Sequence, residues 1–114
     1  MMKKIRLDEL DFSKLDGLIT VITQSSKTGE VLMQAFANQE SVQLTLSSGY
    51  AHYWSRSRNK LWKKGETSGN LQKIQKILVD CDADALIYQV HQHGPACHTG
   101  KNNCFFHELI MESN

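Results

Sequence analysis

The sequence predicts an α+β fold in which one β-rich domain, residues 1–114, contains one short helix. A chain of 114 residues with 40% hydrophobic residues is long enough for one domain with one core. Short runs rich in Val, Ile and Leu recur along the chain, as they do in sheet proteins. Only the segment 39–48 has favourable helix caps at both ends.

Six segments have the composition of β-strands. The first two flank a turn at 27–29, so together they predict a β-hairpin. Between the third and fourth, the stretch 56–70 is polar, basic and interrupted by glycine, which predicts a functional loop. The predicted strands are 18–23, 31–36, 51–55, 71–79, 85–92 and a short last strand that begins at Phe105.

Residues 39–48 fit a helix by one criterion and a strand by another. Asn38 is a favourable N-cap, and Gly49 is a favourable residue for ending a helix. Apolar residues at 42, 44 and 46 nevertheless alternate with period two, as in a half-buried strand. The helix prediction therefore depends on the two caps alone.

Charge and hydropathy argue against several classes of protein. A formal charge of +1 gives no net-charge argument for a nucleic-acid partner. Acidic residues from Asp8 onward interrupt the place where a signal peptide would be apolar, and no window approaches the roughly 18 apolar residues of a membrane span. We therefore expect a cytoplasmic protein with neither a membrane nor a nucleic-acid partner. In that reducing compartment, three cysteines favour metal ligation or free thiols over disulfides.

The run of residues 80–84, DCDAD, alternates two kinds of metal ligand. If the run is extended, its three carboxylates lie on one side about 6 to 7 Å apart, and Cys81 points to the other side. Clustered carboxylates repel one another unless a cation lies among them, and they suit Mg²⁺. A solvated acidic turn is the alternative interpretation. The carboxylates belong to Asp80, Asp82 and Asp84.

The cysteine spacing favours an open metal site over a structural zinc ribbon. Cys81, Cys97 and Cys104 lack the paired CxxC knuckle of such ribbons. Three thiolates suit a catalytic zinc that keeps one position for water. His98, beside Cys97, is either a fourth ligand or a general acid or base near that water. Three ordinary buried cysteines are the alternative, although Cys97 and Cys104 lie in glycine- and asparagine-rich sequence.

The segment 52–70 predicts a surface that binds phosphate. Arginine pairs with phosphate through two parallel donors, and the run from Glu66 to Asn70 offers hydroxyl, amide and backbone donors. A phosphorylated small molecule is therefore the expected ligand. An RNA surface is the rival interpretation because the basic residues alternate with Trp54 and Trp62, and a solvated basic face is the third. The basic residues are Arg56, Arg58, Lys60, Lys63 and Lys64.

Four long motifs make a more specific prediction when they are taken together. They are HYWSRSR (52–58), LWKKGETSGN (61–70), VDCDADAL (79–86) and GPACHTG (94–100), the last followed by Cys104. In this order they resemble the phosphoribosyl-AMP cyclohydrolases of histidine biosynthesis, and the resemblance extends from about Gly17 to Phe105. It is looser in the N-terminal hairpin, where Thr20 occupies a position that is often proline in the family.

The resemblance implies an intertwined homodimer that uses Zn²⁺ and Mg²⁺. Its substrate would be phosphoribosyl-AMP, whose adenine ring is opened by hydrolysis of the N1–C6 bond. Carried over by position, Cys81 of one subunit and Cys97 with Cys104 of the other would bind Zn²⁺. The residues implied to bind Mg²⁺ are Asp80, Asp82 and Asp84.

The implied chemistry assigns further roles in the same site. A zinc-activated water would attack the electron-poor C6 atom. His98 is preferred to His52 for moving the proton from that water to the departing nitrogen. The candidates for holding phosphates and riboses are Arg56, Arg58, Lys63 and Ser68.

Two other function classes stay open at the level of sequence. A zinc nucleoside deaminase would also attack an adenine carbon, but its HxE and PCxxC motifs do not occur in this sequence. A zinc-stabilised RNA-binding module without catalysis is the other class. His91, His93 and His107 lie in or beside predicted strands, so we expect them to be packed or exposed rather than catalytic.

Overall fold

A computed structural model describes residues 2–111, in which six strands form one sheet with one α-helix and one short 3₁₀ helix. The order of strands is β4-β3-β2-β1-β6-β5. β1 and β6 are parallel, and every other neighbouring pair is antiparallel. The elements are the 3₁₀ helix Leu7–Glu9, β1 Ile19–Ser25, β2 Val31–Ala37, α1 Gln39–Ser48, β3 His52–Ser55, β4 Lys60–Lys63, β5 Gln72–Val79 and β6 Ala85–Gln92.

The α+β class, the β1–β2 hairpin and the helix are confirmed. The Asn38 side chain accepts a hydrogen bond from the Ser41 N–H at 2.9 Å, which caps the start of α1. Gly49 ends the helix with φ 79°, and its N–H donates to the Thr45 carbonyl at 3.0 Å. Leu46, one of the alternating apolar residues, is 56% exposed, so the alternation did not indicate a buried strand face.

Two sequence predictions for the second half of the chain are wrong. The predicted loop 56–70 contains β4, which pairs with β3 through a turn that ends at Asn59 with φ 51°. Trp62 anchors β4 because its ring packs against Tyr53 with ring centroids 4.9 Å apart. From Phe105 to residue 111 there is no strand, since this segment pairs with no other strand in the described part of the chain.

The sheet curls so that the chain before β3 meets β5. The Ala51 N–H donates to the Gln72 carbonyl at 3.0 Å, across the curl. Inside it, the Tyr53 hydroxyl contacts the Thr23 hydroxyl at 2.7 Å and donates to the Gln72 side chain at 2.5 Å. Burial raises the pKa of Tyr53, so this hydroxyl keeps its proton as a donor. Within residues 2–111, none of the helices is long and apolar enough to cross a bilayer.

Candidate active site

An open cavity of about 940 Å³ lies over β3, β4 and the loop that follows β4. It brings together all four residues that the sequence predicted to hold phosphates and riboses, and His98 lines it as well. Apolar wall is supplied by Phe36, Trp54 and Trp62. A cavity that combines aromatic walls with a few convergent polar groups is typical of a small-molecule site. The four predicted residues are Arg56, Arg58, Lys63 and Ser68.

The basic side chains of this cavity are held by aromatic rings. The Arg56 guanidinium lies 4.1 Å from the centre of the Phe36 ring, and Lys63 Nζ lies 5.2 Å from the centre of the Tyr50 ring. The ion pairs found among residues 2–111 both involve Lys14, and none involves a cavity residue. The positive charge of the cavity is therefore available to an anionic ligand.

Residues 64–70, here called the glycine loop, are packed tightly around Asn70. A Cβ atom added to Gly65, where φ is 82°, would lie 2.4 Å from the Asn70 carbonyl carbon. One added to Gly94 would lie 2.3 Å from Asn70 Oδ1. The Gln92 side chain also donates to the Asn70 carbonyl at 3.2 Å. Sequence reasoning did not predict this role of Asn70. The available signal was a pair of glycines, Gly65 and Gly94, that lie in two of the four motifs.

Residues 94–104, here called the thiol loop, bring two of the three cysteines together. The Thr99 hydroxyl donates to Cys97 Sγ at 3.0 Å and is the main cause that lowers the pKa of Cys97, to which a hydrogen bond with Cys104 also contributes. Burial and the same bond raise the pKa of Cys104. Lys64 Nζ donates to the Ala96 carbonyl at 2.6 Å, which joins the two loops. The lowered pKa of Cys97 favours the thiolate, the form that binds a metal.

The far end of the thiol loop is fastened to the start of β2. The Cys104 N–H donates to the Leu32 carbonyl at 2.8 Å. The Glu30 carboxylate accepts hydrogen bonds from the side-chain amides of both Asn102, at 2.7 Å, and Asn103. Glu30 lies 72 residues before Asn102 in sequence, so no local pattern indicated this contact.

Cys81 is not grouped with the other two cysteines in the protomer. It is exposed in the turn between β5 and β6, whereas Cys97 is buried. Among residues 2–111, the one group of three or more potential ligands with atoms within 4.8 Å of one another consists of aspartates. Two neighbouring thiols fit zinc, and one protomer groups the two cysteines, Cys97 and Cys104, that the resemblance assigned to the same subunit.

The run 80–84 forms a tight turn, here called the acidic turn, so the extended conformation considered for it is wrong. The Ala83 N–H donates to the Asp80 carbonyl at 3.2 Å, and Ala83 has φ 60°. Asp80 Oδ1 accepts from the Asp84 and Ala85 N–H groups at 3.0 and 3.1 Å. The turn brings one oxygen of each carboxylate, including Asp82, within 4.8 Å of the others. Three converging carboxylates are a donor set that fits Mg²⁺.

Lys14 lies against the acidic turn, a contact that sequence reasoning missed. Its Nζ is 2.7 Å from Asp82 Oδ2 and 3.0 Å from Asp84 Oδ2. The hydrogen bond from Lys14 is the main cause that lowers the pKa of Asp82 to about 2. Lys14 is also the largest influence on Asp84 and lowers its pKa, but hydrogen bonds with Asp82 and Asp80 and burial together raise it. The bonds to both aspartates raise the pKa of Lys14 itself.

The two candidate catalytic histidines lie in different surroundings. His98 is exposed and lines the cavity. His52 is 9% exposed, its Nδ1 donates to the Tyr50 carbonyl at 2.8 Å, and it is absent from the cavity wall described here. The rings of His91 and His93 pack edge to face, with centroids 4.9 Å apart. The position of His98 is therefore better suited to contact with a bound ligand.

Comparison with known proteins agrees with these motifs. The family profile of phosphoribosyl-AMP cyclohydrolase matches residues 33–106. A phosphoribosyl-AMP cyclohydrolase of Cenarchaeum symbiosum is 58% identical over 110 residues, which are 96% of this chain and 100% of the relative. One of Archaeoglobus fulgidus is 62% identical over 101 residues, covering 89% and 93% of the two chains. The histidine biosynthesis bifunctional protein HisIE of Aquifex aeolicus is 55% identical over 109 residues, covering 95% of this chain and 50% of that protein. The chain therefore belongs to the phosphoribosyl-AMP cyclohydrolase family.

Proposed function

We propose that this chain opens the adenine ring of phosphoribosyl-AMP by hydrolysing its N1–C6 bond, as a step of histidine biosynthesis. The observation that carries the proposal is the cavity, in which His98 lies with the basic residues of the two preceding motifs. The thiol pair belongs to the same loop as His98, which reaches the cavity wall.

Each part of the cavity suits one part of this substrate. The substrate has two phosphate groups, and Arg56, Arg58 and Lys63 provide three positive charges for them. The stacking of Arg56 on Phe36 restrains its guanidinium, which lowers the entropy cost of clamping a phosphate. Ser68 offers a hydroxyl to a ribose, and the aromatic walls offer surfaces for the base.

For zinc, we propose a site shared between two subunits of a homodimer. Cys97 and Cys104 provide two thiolates, and Cys81 of the partner subunit provides the third. The lowered pKa of Cys97 and its hydrogen bond from Thr99 support this role, and so does the separation of Cys81 from the pair within a protomer. Zinc held by these residues would supply an activated water.

An exposed apolar segment supports the homodimer. Apolar side chains from Phe105 to residue 111 are 42% to 93% exposed. A group of exposed apolar side chains of this kind marks an interaction surface. We expect sedimentation to give a dimeric mass, and Leu109→Ser with Ile110→Ser to shift it toward the monomer. The exposed side chains are Phe105, Phe106, Leu109, Ile110 and Met111.

Mixing two inactive variants tests the shared site. In a dimer formed from one Cys81→Ala chain and one Cys97→Ala chain, one site carries both changes and the other carries neither. With random exchange of subunits, half of the dimers are mixed and half of their sites are intact, so activity returns to about a quarter of the wild-type value. A site built within one protomer predicts no recovery, and that result would contradict the sharing.

In the proposed reaction His98 carries a proton. Oxygen from water bonds to C6, the C6–N1 bond breaks, and N1 gains a proton, which leaves a carboxamide on the product. His98 accepts a proton from the water and passes it to N1, which stays bonded to C2 and becomes the N–H of a formamidine. His52 is the less favourable candidate because its Nδ1 is already bonded to Tyr50 and it lies off the cavity wall.

We propose that the acidic turn binds Mg²⁺ through Asp80, Asp82 and Asp84. The converging oxygens support this assignment because hard carboxylate ligands suit this hydrated ion. The proposed role of the cation is to neutralise or orient part of the doubly phosphorylated substrate. The cytoplasmic location and the lack of membrane and nucleic-acid partners stay predictions of the sequence.

One assay separates the proposed activity from its rivals. Purified protein with phosphoribosyl-AMP, zinc and magnesium is followed by absorbance of the ring-opened product and by ammonia release. Ring opening without ammonia supports the cyclohydrolase. Ammonia release would instead identify a deaminase, and salt-dependent RNA binding without turnover would identify a binding module.

A further inference from the structure

The acidic turn already holds a positive charge that belongs to the chain itself. Lys14 Nζ lies within 3.0 Å of carboxylate oxygens from both Asp82 and Asp84. These two residues are among the three whose oxygens converge within 4.8 Å. The Lys14 ammonium group therefore occupies the same carboxylates that a divalent cation would use.

The backbone of the N-terminal segment places Lys14 there. The Asp11 N–H donates to the carbonyl of Ala83, inside the acidic turn, at 2.7 Å. Phe12 packs against the core, and its carbonyl accepts from the Gly17 N–H at 2.9 Å, which closes the turn that contains Lys14. The segment is thus attached on both sides of Lys14, so the contact depends on more than a mobile side chain.

We propose that Lys14 is a built-in counter-ion of the acidic turn, which a divalent cation must displace, so that Lys14 sets how tightly Mg²⁺ is held. The proposal rests on the assignment of Mg²⁺ to these aspartates in the proposed function. An ammonium group and a divalent cation within a few ångströms repel each other, and they compete for the same oxygens. The Lys14 side chain is 47% exposed, so it can turn into solvent when the cation arrives.

This arrangement has two physical consequences. Without Mg²⁺, Lys14 reduces the repulsion among three carboxylates and so stabilises the turn. With Mg²⁺, part of the binding free energy is used to break two ion pairs, and partly exposed pairs of this kind are weak. The affinity of the turn for the cation therefore depends on a residue that lies outside the ligand set.

The experiment measures Mn²⁺ binding to the zinc-loaded protein by electron paramagnetic resonance, with Mg²⁺ as competitor. We expect Lys14→Met to bind Mn²⁺ roughly tenfold more tightly, as the loss of two weak ion pairs would allow. Lys14→Arg keeps the charge and should bind like the wild type. Lys27→Met is the matched control, and the Mn²⁺ affinity of this variant should be unchanged. Lys27 is exposed and follows the end of β1 that lies farther from the acidic turn.

Each outcome decides one of the two claims. Unchanged or weaker Mn²⁺ binding in Lys14→Met, with binding that Asp82→Asn abolishes, would overturn the role of Lys14 and keep the magnesium site. If Asp82→Asn, made with Lys14 in place, leaves Mn²⁺ binding unchanged, the assignment of Mg²⁺ to the acidic turn fails. The Lys14 proposal then fails with it. A thermal melt gives a second measure: Lys14→Met should melt lower than the wild type without divalent cation, and added Mn²⁺ should reduce that difference.

Discussion

The thiol loop and the acidic turn both carry side chains that we propose as metal ligands, but they are held in opposite ways. In the thiol loop, Cys97 is buried, with 7% of its surface exposed, and the Thr99 hydroxyl donates to its sulfur. Hydrogen bonds to Glu30 and Lys64 fasten the loop near its two ends. The acidic turn faces solvent, with Asp80 and Asp82 exposed and part of its negative charge offset by Lys14.

The difference shows what each site lacks. The thiol loop is fastened at both ends but incomplete as a zinc site in one protomer, because it brings together two thiols and Cys81 lies elsewhere. The acidic turn has its three carboxylates in one short segment, and the single charge of Lys14 offsets only part of their mutual repulsion. We therefore expect the zinc site to depend on assembly and the magnesium site to depend on charge.

Cys97→Ala should have the largest effect, and it should change the thiol loop without changing the acidic turn. We expect zinc content and turnover to fall together, turnover by roughly a thousandfold or more, because the attacking water is no longer activated. Metal analysis and the ring-opening assay measure the two quantities, and Mn²⁺ binding at the acidic turn should persist. An active variant without zinc would contradict the assignment.

Gly65→Ala tests whether the packing of the glycine loop holds the thiol loop in place. Its new Cβ would overlap the Asn70 backbone, so we expect kcat/KM to fall by more than about tenfold, with weaker zinc retention. Gly69→Ala is the matched control: φ is 82° at both positions, but nothing lies within 4 Å of a Cβ on Gly69. It should cost only the left-handed strain, about 1–2 kcal/mol in a denaturant titration. Equal losses in the two variants would argue against the packing role of Asn70.

Thr99→Val removes one hydrogen bond from the thiol loop and keeps the shape of the side chain. The pKa of Cys97 should rise, because the Thr99 hydroxyl is the main cause that lowers it. We expect zinc affinity to fall about tenfold in competition with a coloured chelator, since outer contacts orient metal ligands. Thr99→Ser keeps the hydroxyl and should retain most of the affinity. No loss in Thr99→Val would mean that the zinc site does not use this bond.

The smallest expected effect is on acid stability, through the acidic turn. The pKa of Asp82 is lowered from 3.8 to about 2, so its stabilisation of the folded state is present above 3.8 and is lost as pH falls toward about 2. The raised pKa of Asp84 acts in the opposite sense and partly offsets this loss. Lys14→Met removes the main cause of the Asp82 shift, so its urea midpoint should change less with pH across this window. An identical pH dependence in both proteins would contradict the coupling.

Sequence reasoning succeeded where the cause of a structure is local. The caps at Asn38 and Gly49 lie within one turn of the helix they bound, and they predicted it correctly against a contrary alternation. It failed at β4, because that strand is held by Trp62 packing on Tyr53 across the hairpin. It also failed for the strand predicted from Phe105, because a composition typical of strands does not ensure that a neighbouring strand is available for pairing.

By itself, the sequence determined which chemical groups this protein brings to its site: three thiols, three clustered carboxylates, and basic residues among aromatic ones. Those are properties of side chains and of short spacings. Only the tertiary structure decided how these groups are arranged. Two thiols meet without the third, and the carboxylates converge in a turn. Lys14 forms an ion pair with Asp82, which lies 68 residues later in the sequence. Contacts across such separations arise from the packing of the whole chain, and no local pattern encodes them.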